Sequence, residues 1–321
     1  MVESDVTSYV AKDREPVCAT YRKHRICSMG PPSSGATTLL ATLLQLERFD
    51  MKALGKDSPV AWHLIAESER LAYADRARYL ADADFVQVPV SGLIDRSYLA
   101  ARSALISPTG SIANAEAGVP PGAEALALAD TSTPGERGTS HFVAVDRAGN
   151  AVSYTSTIES SFGSGLVVNG YFLNNELTDF DITGQRDGKP AANRPDGGKR
   201  PRSSMTPTLV FGPDGKLRLA VGAAGGWTIP AQVIRAVIGV IDWDLSAQDA
   251  VSLPVILTPN NDVIVVEKDT MLEAMIPALK ALGHGNVIAR PPGFKANAIE
   301  VRNGRLAGGA DPRSEGRAIG E

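Results

Sequence analysis

Between residues 138 and 139 the texture of this chain switches, and the switch limits the possible folds more than any other feature. Over 107–138 helical periodicity fades while Pro108, Pro120, Pro121 and Pro134 gather among glycines, serines and threonines, which predicts an exposed linker. Two β-prone runs follow at 140–145 and 151–158, separated by Asp146-Arg147-Ala148-Gly149-Asn150, and they predict a hairpin. Further strands are expected at 170–173, 208–211, 217–221, 263–266, 287–290 and 298–301, with a second hairpin turning at Gly212-Pro213-Asp214-Gly215.

Upstream, residues 1–30 are polar and read as irregular, and Gly30-Pro31-Pro32-Ser33-Ser34-Gly35 continues neither helix nor strand, so it reads as a turn or cradle. Leu39, Leu40, Leu43, Leu44 and Leu46 then fall at helical spacing. A second helix is predicted to start with Ser58 as N-cap and Pro59 in its first turn, with Val60, Leu64 and Leu71 towards a core. Glu67, Glu69, Arg70, Asp75 and Arg76 on that helix have the spacing of solvated i,i+3 and i,i+4 pairs. Helical patterns recur at 229–243 and 270–282, the latter stopped by Gly283. Helices inserted in blocks among antiparallel hairpins argue for an α+β fold, sheets packed under helices, divided at 1–138 and 139–321.

Composition narrows the functions. The 321 residues carry a net charge of −4 and are 43% hydrophobic, which describes a globular chain of one large or two ordinary domains. Slight acidity argues against nucleic acid as a partner, since the only dense basic cluster is Lys199-Arg200-Pro201-Arg202. No apolar run is long enough for a membrane span, and Met1-Val2-Glu3-Ser4-Asp5 is acidic where an export signal is basic, so the chain as written is not addressed for export. Two cysteines cannot build a disulfide framework. HExxH, paired CxxC, GxxxxGK and GxGxxG are all missing, so no cofactor or metal is expected, and His24, His63, His141 and His284 are scattered.

Hydroxyl chemistry then needs a base. A threonine that follows glycine, between a linker and a hairpin, gains one if the peptide bond before it breaks, because its own α-amine, with a pKa of about 7.7 to 8.0, sits beside its hydroxyl. Gly138-Thr139 meets that description. Its neighbours give it specificity. Thr139-Ser140-His141-Phe142, Ala148-Gly149-Asn150-Ala151-Val152, Thr157-Ile158-Glu159 and Phe162-Gly163-Ser164-Gly165 closely resemble the start of the small subunit of γ-glutamyltransferases. The resemblance continues through Leu173-Asn174-Asn175-Glu176, Asp179-Phe180, Lys199 to Pro207, Gly225-Gly226 and Asp311-Pro312-Arg313. Upstream, Pro31-Pro32-Ser33-Ser34-Gly35, Ala72-Tyr73-Ala74-Asp75-Arg76 and Asp84-Phe85 are similar to the end of the family's large subunit, so nearly the whole chain is covered.

That resemblance implies an N-terminal nucleophile hydrolase, an αββα sandwich whose precursor cuts itself. Cleavage between Gly138 and Thr139 would leave Thr139 as nucleophile, hydrogen-bonded to Thr157, with the backbone N–H groups of Gly225 and Gly226 as oxyanion hole. Glu159, Glu176 and Asp179 would hold the ammonium of a γ-glutamyl group, and Ser203 and Ser204 its α-carboxylate. Many relatives carry Asn and Gln at the first two of these places, so the pocket here would be more acidic; outside the family framing, the three acids read as solvated loop residues. The implied substrate is a small γ-glutamyl amide of the glutathione class, the acceptor water, an amino acid or a dipeptide, and the partner the chain's own cleaved fragment. Residues 183–199, polar and without an aromatic, would form a mobile cover that seals poorly and favours water.

The family's large subunit normally extends much further upstream and supplies an arginine for the α-carboxylate, a region this sequence lacks. The expectation is therefore a truncated product or one half of a split enzyme needing an upstream chain, with a sheet edge or apolar face exposed. Arg200 or Arg202 would replace that arginine only if the fold turns one into the pocket. An inactive remnant and an acylase for another amide, such as a cephalosporin side chain, are the alternatives. Relatives are often periplasmic or secreted.

Overall fold

Six antiparallel strands make the central sheet of the computed structural model, which describes residues 2–131, 138–258 and 263–320. Strands β1 (Val17–Tyr21) and β2 (His24–Ser28) are followed by helices α1 (Gly35–Leu46) and α2 (Pro59–Tyr79), and then by the hairpin β3 (Ser140–Val145) and β4 (Ala151–Ser156). Strands β5 (Thr208–Phe211) and β6 (Leu217–Ala224), helices α3 (Ile229–Ile241) and α4 (Ala247–Ser252), and strands β7 (Lys295–Arg302) and β8 (Arg305–Ala310) complete the frame. The sheet runs β1-β2-β5-β6-β7-β8, so strands from both sides of residue 139 share one hydrogen-bonded layer. Helices α1, α3 and α4 pack on one face and the β3–β4 hairpin on the other. A smaller sheet of Ile256–Leu257, Ile264–Glu267 and Val287–Arg290 lies beside α2.

The β1–β2 hairpin corrects the expectation of an irregular start. Its turn residues, Arg22 and Lys23, have φ of 47° and 70° without the Asn-Gly that normally announces such a turn. Arg22 is held there by what its guanidinium caps: it donates to the carbonyls of Glu47 (2.6 Å) and Phe49 (2.5 Å) at the end of α1, and to Asp242 (3.1 Å). The two cysteines stand opposite each other in this hairpin and form one disulfide, Cys18–Cys27.

Ser58 caps α2 as the sequence predicts, its side chain accepting from Ala61 N, with Pro59 in the first turn. The polar residues of α2 depart from expectation. Glu67, Glu69, Arg70, Asp75 and Arg76 are all buried. For Glu67, Arg70 and Asp75 the cause is the segment read as an exposed linker, which is threaded along α2 and bonds to those charges, since a segment without regular structure needs partners for its backbone. Ile112 N donates to Glu67 (2.6 Å), Gly118 N to Asp75 (2.8 Å) and Arg70 to Ile112 O (2.8 Å), while Ala115, Ala123 and Ala129 are buried. Residues 132–137 of that segment, Pro134 among them, lie outside the described residues.

Both predicted hairpin turns form, closed by Asp146 N to Asn150 O (3.0 Å) and Gly212 N to Lys216 O (2.8 Å). The β3–β4 hairpin approaches the sheet closely because β6 reads Gly222-Ala223-Ala224 at the contact. A Cβ on Gly222 would lie 2.3 Å from the His141 ring, so only glycine admits that ring between the layers. Burial there pushes the His141 pKa down to about 4. The hairpin's other face carries Phe142, Val152 and Tyr154, each more than 40% exposed.

Candidate active site

Thr139 sits immediately before β3, buried, with Thr157 just beyond the end of its partner strand β4. Strand pairing of Ser140 with Ser156 brings the two threonines side by side, and Thr139 Oγ1 donates to Thr157 Oγ1 at 3.3 Å. Thr157 Oγ1 is also fixed by the amide of Glu159, which donates to it at 2.8 Å. Gly138 has φ of 103°, and a Cβ there would meet Glu159 O at 2.5 Å, so the Gly138–Thr139 bond lies in a backbone path open only to glycine.

Of the three acids, Glu159 and Asp179 are buried and Glu176 is half-buried, so none is a solvated loop residue. Glu159 adopts φ of 72°, unusual for a residue with a long side chain. Its carboxylate accepts from Ser160 Oγ (2.6 Å) and from Asn175 Nδ2. Glu176 and Asp179 lie on the single 3-10 turn Glu176–Asp179, which follows Asn175 directly. The buried Asn193, not singled out in the sequence, ties this turn to the serine pair: its amide donates to Asp179 O (2.7 Å) and its carbonyl accepts from Arg202 N (2.8 Å).

Ser203 and Ser204 are locked against the Pro31-Pro32-Ser33-Ser34-Gly35 cradle. Ser203 N donates to Pro32 O (3.0 Å), Ser34 N to Ser203 O (2.9 Å) and Ser33 Oγ to Met205 O (2.5 Å). Arg76, read in the sequence as a solvated partner, is the buried cation here, donating to Ser34 Oγ (2.8 Å) and Ser204 Oγ (2.7 Å). Arg202 is committed elsewhere, to Thr131 Oγ1 (2.9 Å) and Arg76 O (3.2 Å), so its guanidinium supports the scaffold.

Gly225 and Gly226 turn the chain from the end of β6 into the start of α3, with φ of 129° and 61°. Thr228 Oγ1 donates to Gly225 O (2.8 Å), and Gln232 donates to Ala224 O (2.8 Å). The turn thus stands at the positive end of the α3 dipole. His141 lies over Gly222, and Ser153 Oγ donates to Val221 O (3.0 Å), so the β3–β4 hairpin and β6 run to the same end of the sandwich. Among the described residues no hydrogen bond joins Thr139 to Gly225 or Gly226. A cavity of about 460 Å³ opens beside Gly225, walled by Trp227, Leu257, Val265, Ile288 and Phe294.

The expected cover at 183–199 is exposed over 185–190 and fixed at its flanks, where Lys199 donates to the carbonyls of Ala192 (2.6 Å) and Arg194 (2.8 Å). Asp311-Pro312-Arg313 is a clamp: Asp311 pairs with the buried Arg235 (3.1 Å), and Arg313 reaches Glu267 (2.7 Å) and the carbonyls of Val251 and Leu253.

Comparison with known proteins agrees with this frame. The family model described as gamma-glutamyltranspeptidase matches residues 1–321. The chain is 36% identical over 330 residues to the glutathione hydrolase proenzyme of Bacillus subtilis (strain 168), a match covering 100% of this chain and 55% of that protein. It is 33% identical over 325 residues to the Acylase ACY 1 proenzyme of Pseudomonas sp. (strain V22), covering 99% of this chain and 54% of that one. Among solved structures, cephalosporin acylase from Bacillus halodurans is similar with a TM-score of 0.84 at 23% identity, over 99% of this chain and 55% of that chain. The chain spans about half the length of the curated relatives it matches. The structural likeness shows the fold, an α+β arrangement of antiparallel strands under helices with the β3–β4 hairpin packed on the main sheet.

Proposed function

The chain belongs to the γ-glutamyltranspeptidase family, and from that membership we propose that it is a self-cleaving γ-glutamyl hydrolase and transferase with Thr139 as nucleophile. The observation that carries the reading is the Thr139–Thr157 hydroxyl pair at 3.3 Å, beside a Gly138 whose backbone tolerates no side chain. In the precursor, Thr139 Oγ1 attacks the Gly138 carbonyl carbon. The C–N bond breaks, the nitrogen takes up a proton, and an ester remains. Water cleaves that ester, leaving Gly138 as a carboxylate and Thr139 with a free amine and hydroxyl.

The freed amine then accepts the hydroxyl proton as Thr139 attacks a γ-glutamyl amide. Backbone donors at Gly225 and Gly226 would stabilise the oxyanion, each worth about 3 kcal/mol. The amide nitrogen leaves protonated, and the γ-glutamyl-Thr139 ester passes its acyl group to water, an amino acid or a dipeptide. Glu159, Glu176 and Asp179 would face the substrate ammonium, a charge pairing that strengthens where water is excluded. Ser203 and Ser204, the latter bonded to Arg76, would meet its carboxylate. The polar 185–190 tip favours water, hence glutathione-class hydrolysis over transfer. The two products of cleavage would remain together as a heterodimer.

A second reading, an acylase for a less polar amide, is favoured by the apolar cavity beside Gly225. Intact-mass analysis with γ-glutamyl-p-nitroanilide turnover tests both. Fragments dividing before Thr139 together with p-nitroaniline release support the first, and cleavage with turnover only of apolar acyl amides supports the second. An uncut chain that releases nothing refutes both, and Thr139→Ala should give that result.

A further inference from the structure

We propose that His63, Glu67 and His284 form a binding site for a divalent transition-metal ion, with zinc the ion best matched to its donors. His63 and Glu67 stand one turn apart on the same face of α2, and His284 follows the helix Ile276–Ala281. All three are buried, and one donor atom from each lies within 4.8 Å of the others, a grouping that no other described residues make.

What separates this cluster from three buried polar residues is the shell around it. His63 Nε2 lies 2.8 Å from Ser107 O, so that nitrogen carries the ring proton and Nδ1 offers a bare lone pair to the cluster. Glu67 is oriented through both oxygens, by Ile112 N (2.6 Å) and Arg70 Nη1 (2.7 Å). Metal-binding histidines and carboxylates are oriented by just such second contacts to backbone and side chains.

His63 Nδ1 and His284 Nε2 are 2.6 Å apart and share one proton, and His284 Nδ1 lies 3.8 Å from Glu67 Oε1. The ion takes the place of the shared proton, which moves to His284 Nδ1 on the side facing Glu67, so both rings stay neutral. Zn–N bonds of about 2.0–2.1 Å in a tetrahedral site put the two nitrogens roughly 3.3 Å apart, so the rings separate by less than about 1 Å. A cavity of about 110 Å³, bordered by Arg70, Ser111, Ile112, His284 and Asn286, meets the cluster at His284 and has room for a water as fourth ligand. Two neutral imidazoles and one carboxylate beside the Arg70 cation suit zinc, cobalt or nickel, and disfavour calcium and magnesium, which require several oxygen donors. The site would pin α2, the 107–112 segment and the chain after Gly283 together.

The sequence concealed it because the third ligand is 221 residues from the first. The full chain, stripped with chelator and titrated with ZnCl₂, should retain one zinc per chain after gel filtration. X-ray absorption at the zinc edge should report two imidazole nitrogens, and Tm should rise with Zn²⁺ but not Mg²⁺. His284→Gln and Glu67→Gln should each weaken binding at least tenfold; should either variant misfold, the absorption spectrum of the wild-type chain decides alone. No retained zinc at micromolar concentration, a spectrum without imidazole, or unchanged binding in folded variants overturns the site and leaves a hydrogen-bonded histidine pair.

Discussion

Gly222→Ala is the sharpest test of how the two sheets position Thr139, the proposed nucleophile. The new methyl would sit 2.3 Å from His141 Cε1, 2.6 Å from Nε2 and 2.7 Å from Nδ1. Ordinary contact begins near about 3.4 Å, so the ring or its strand must withdraw by about 1 Å. The ring has little freedom, being buried and hydrogen-bonded through Nδ1 to Thr155 (2.8 Å), so β3 itself should shift, carrying Thr139 two residues away. Overpacking of this kind costs about 1–3 kcal/mol, and a 1 Å displacement of a reacting group lowers turnover about 10²-fold. Urea denaturation at pH 7.5 should show the stability loss, and the time course of cleavage before Thr139 the kinetic one. His141→Ala opens the space the methyl needs, so the double variant should recover part of the loss, with a coupling of about 1–3 kcal/mol. A neutral Gly222→Ala, or strict additivity with His141→Ala, would refute the idea that this contact sets the spacing of the layers.

Three further outcomes follow from individual groups. His141 stays neutral in the folded chain down to about pH 4 because it is buried; the unfolded chain, titrating near pH 6.5, binds the proton first, so stability is complete above that pH and falls between 6.5 and 4, by up to about 1.4 kcal/mol per unit. His141→Gln should flatten that fall in urea midpoints taken at pH 7.5, 5.5 and 4.5. Glu159→Asn should lower stability by about 1 kcal/mol, because the bonds from Ser160 and Asn175 to the buried carboxylate are lost while asparagine's tolerance of the positive φ offsets only part of that, and it should raise KM for a γ-glutamyl amide. Asp311→Ala strands the fully buried Arg235 and should cost about 3–5 kcal/mol in thermal unfolding.

The capped start of α2, the two hairpin turns and strands at 208–211 and 287–290 were legible because local chemistry dictates them: Ser58 and Pro59 have one good use together, as do Gly149-Asn150 and Asp214-Gly215. The β1–β2 hairpin was not, because Arg22 and Lys23 occupy positive φ only with the help of the α1 C-terminus, a contact no window of sequence contains. Likewise Arg76 and Glu67 carry the polar pattern of a wet helix face, and only distant segments make them interior, the Ser34 and Ser204 loops for Arg76 and the return of residues 107–131 for Glu67. In the site, the ordered motifs pointed to Thr139, Thr157 and the Ser203–Ser204 pair, whereas Asn193 and Arg76 act by joining motifs distant in the chain and leave no local mark.

The sheet order has a kinetic corollary. Strand β2 hydrogen-bonds to β5, so the seam between residues upstream and downstream of Gly138 lies inside the main sheet, two strands from one edge. While the chain is whole, closing that seam is a first-order event whose rate ignores dilution. If the proposed cut before Thr139 is made, the same seam becomes a meeting of two molecules, and renatured protein should recover at a rate that rises with concentration. A molecule processed in this way would have assembled in one kinetic regime and, after any complete unfolding, would have to reassemble in another.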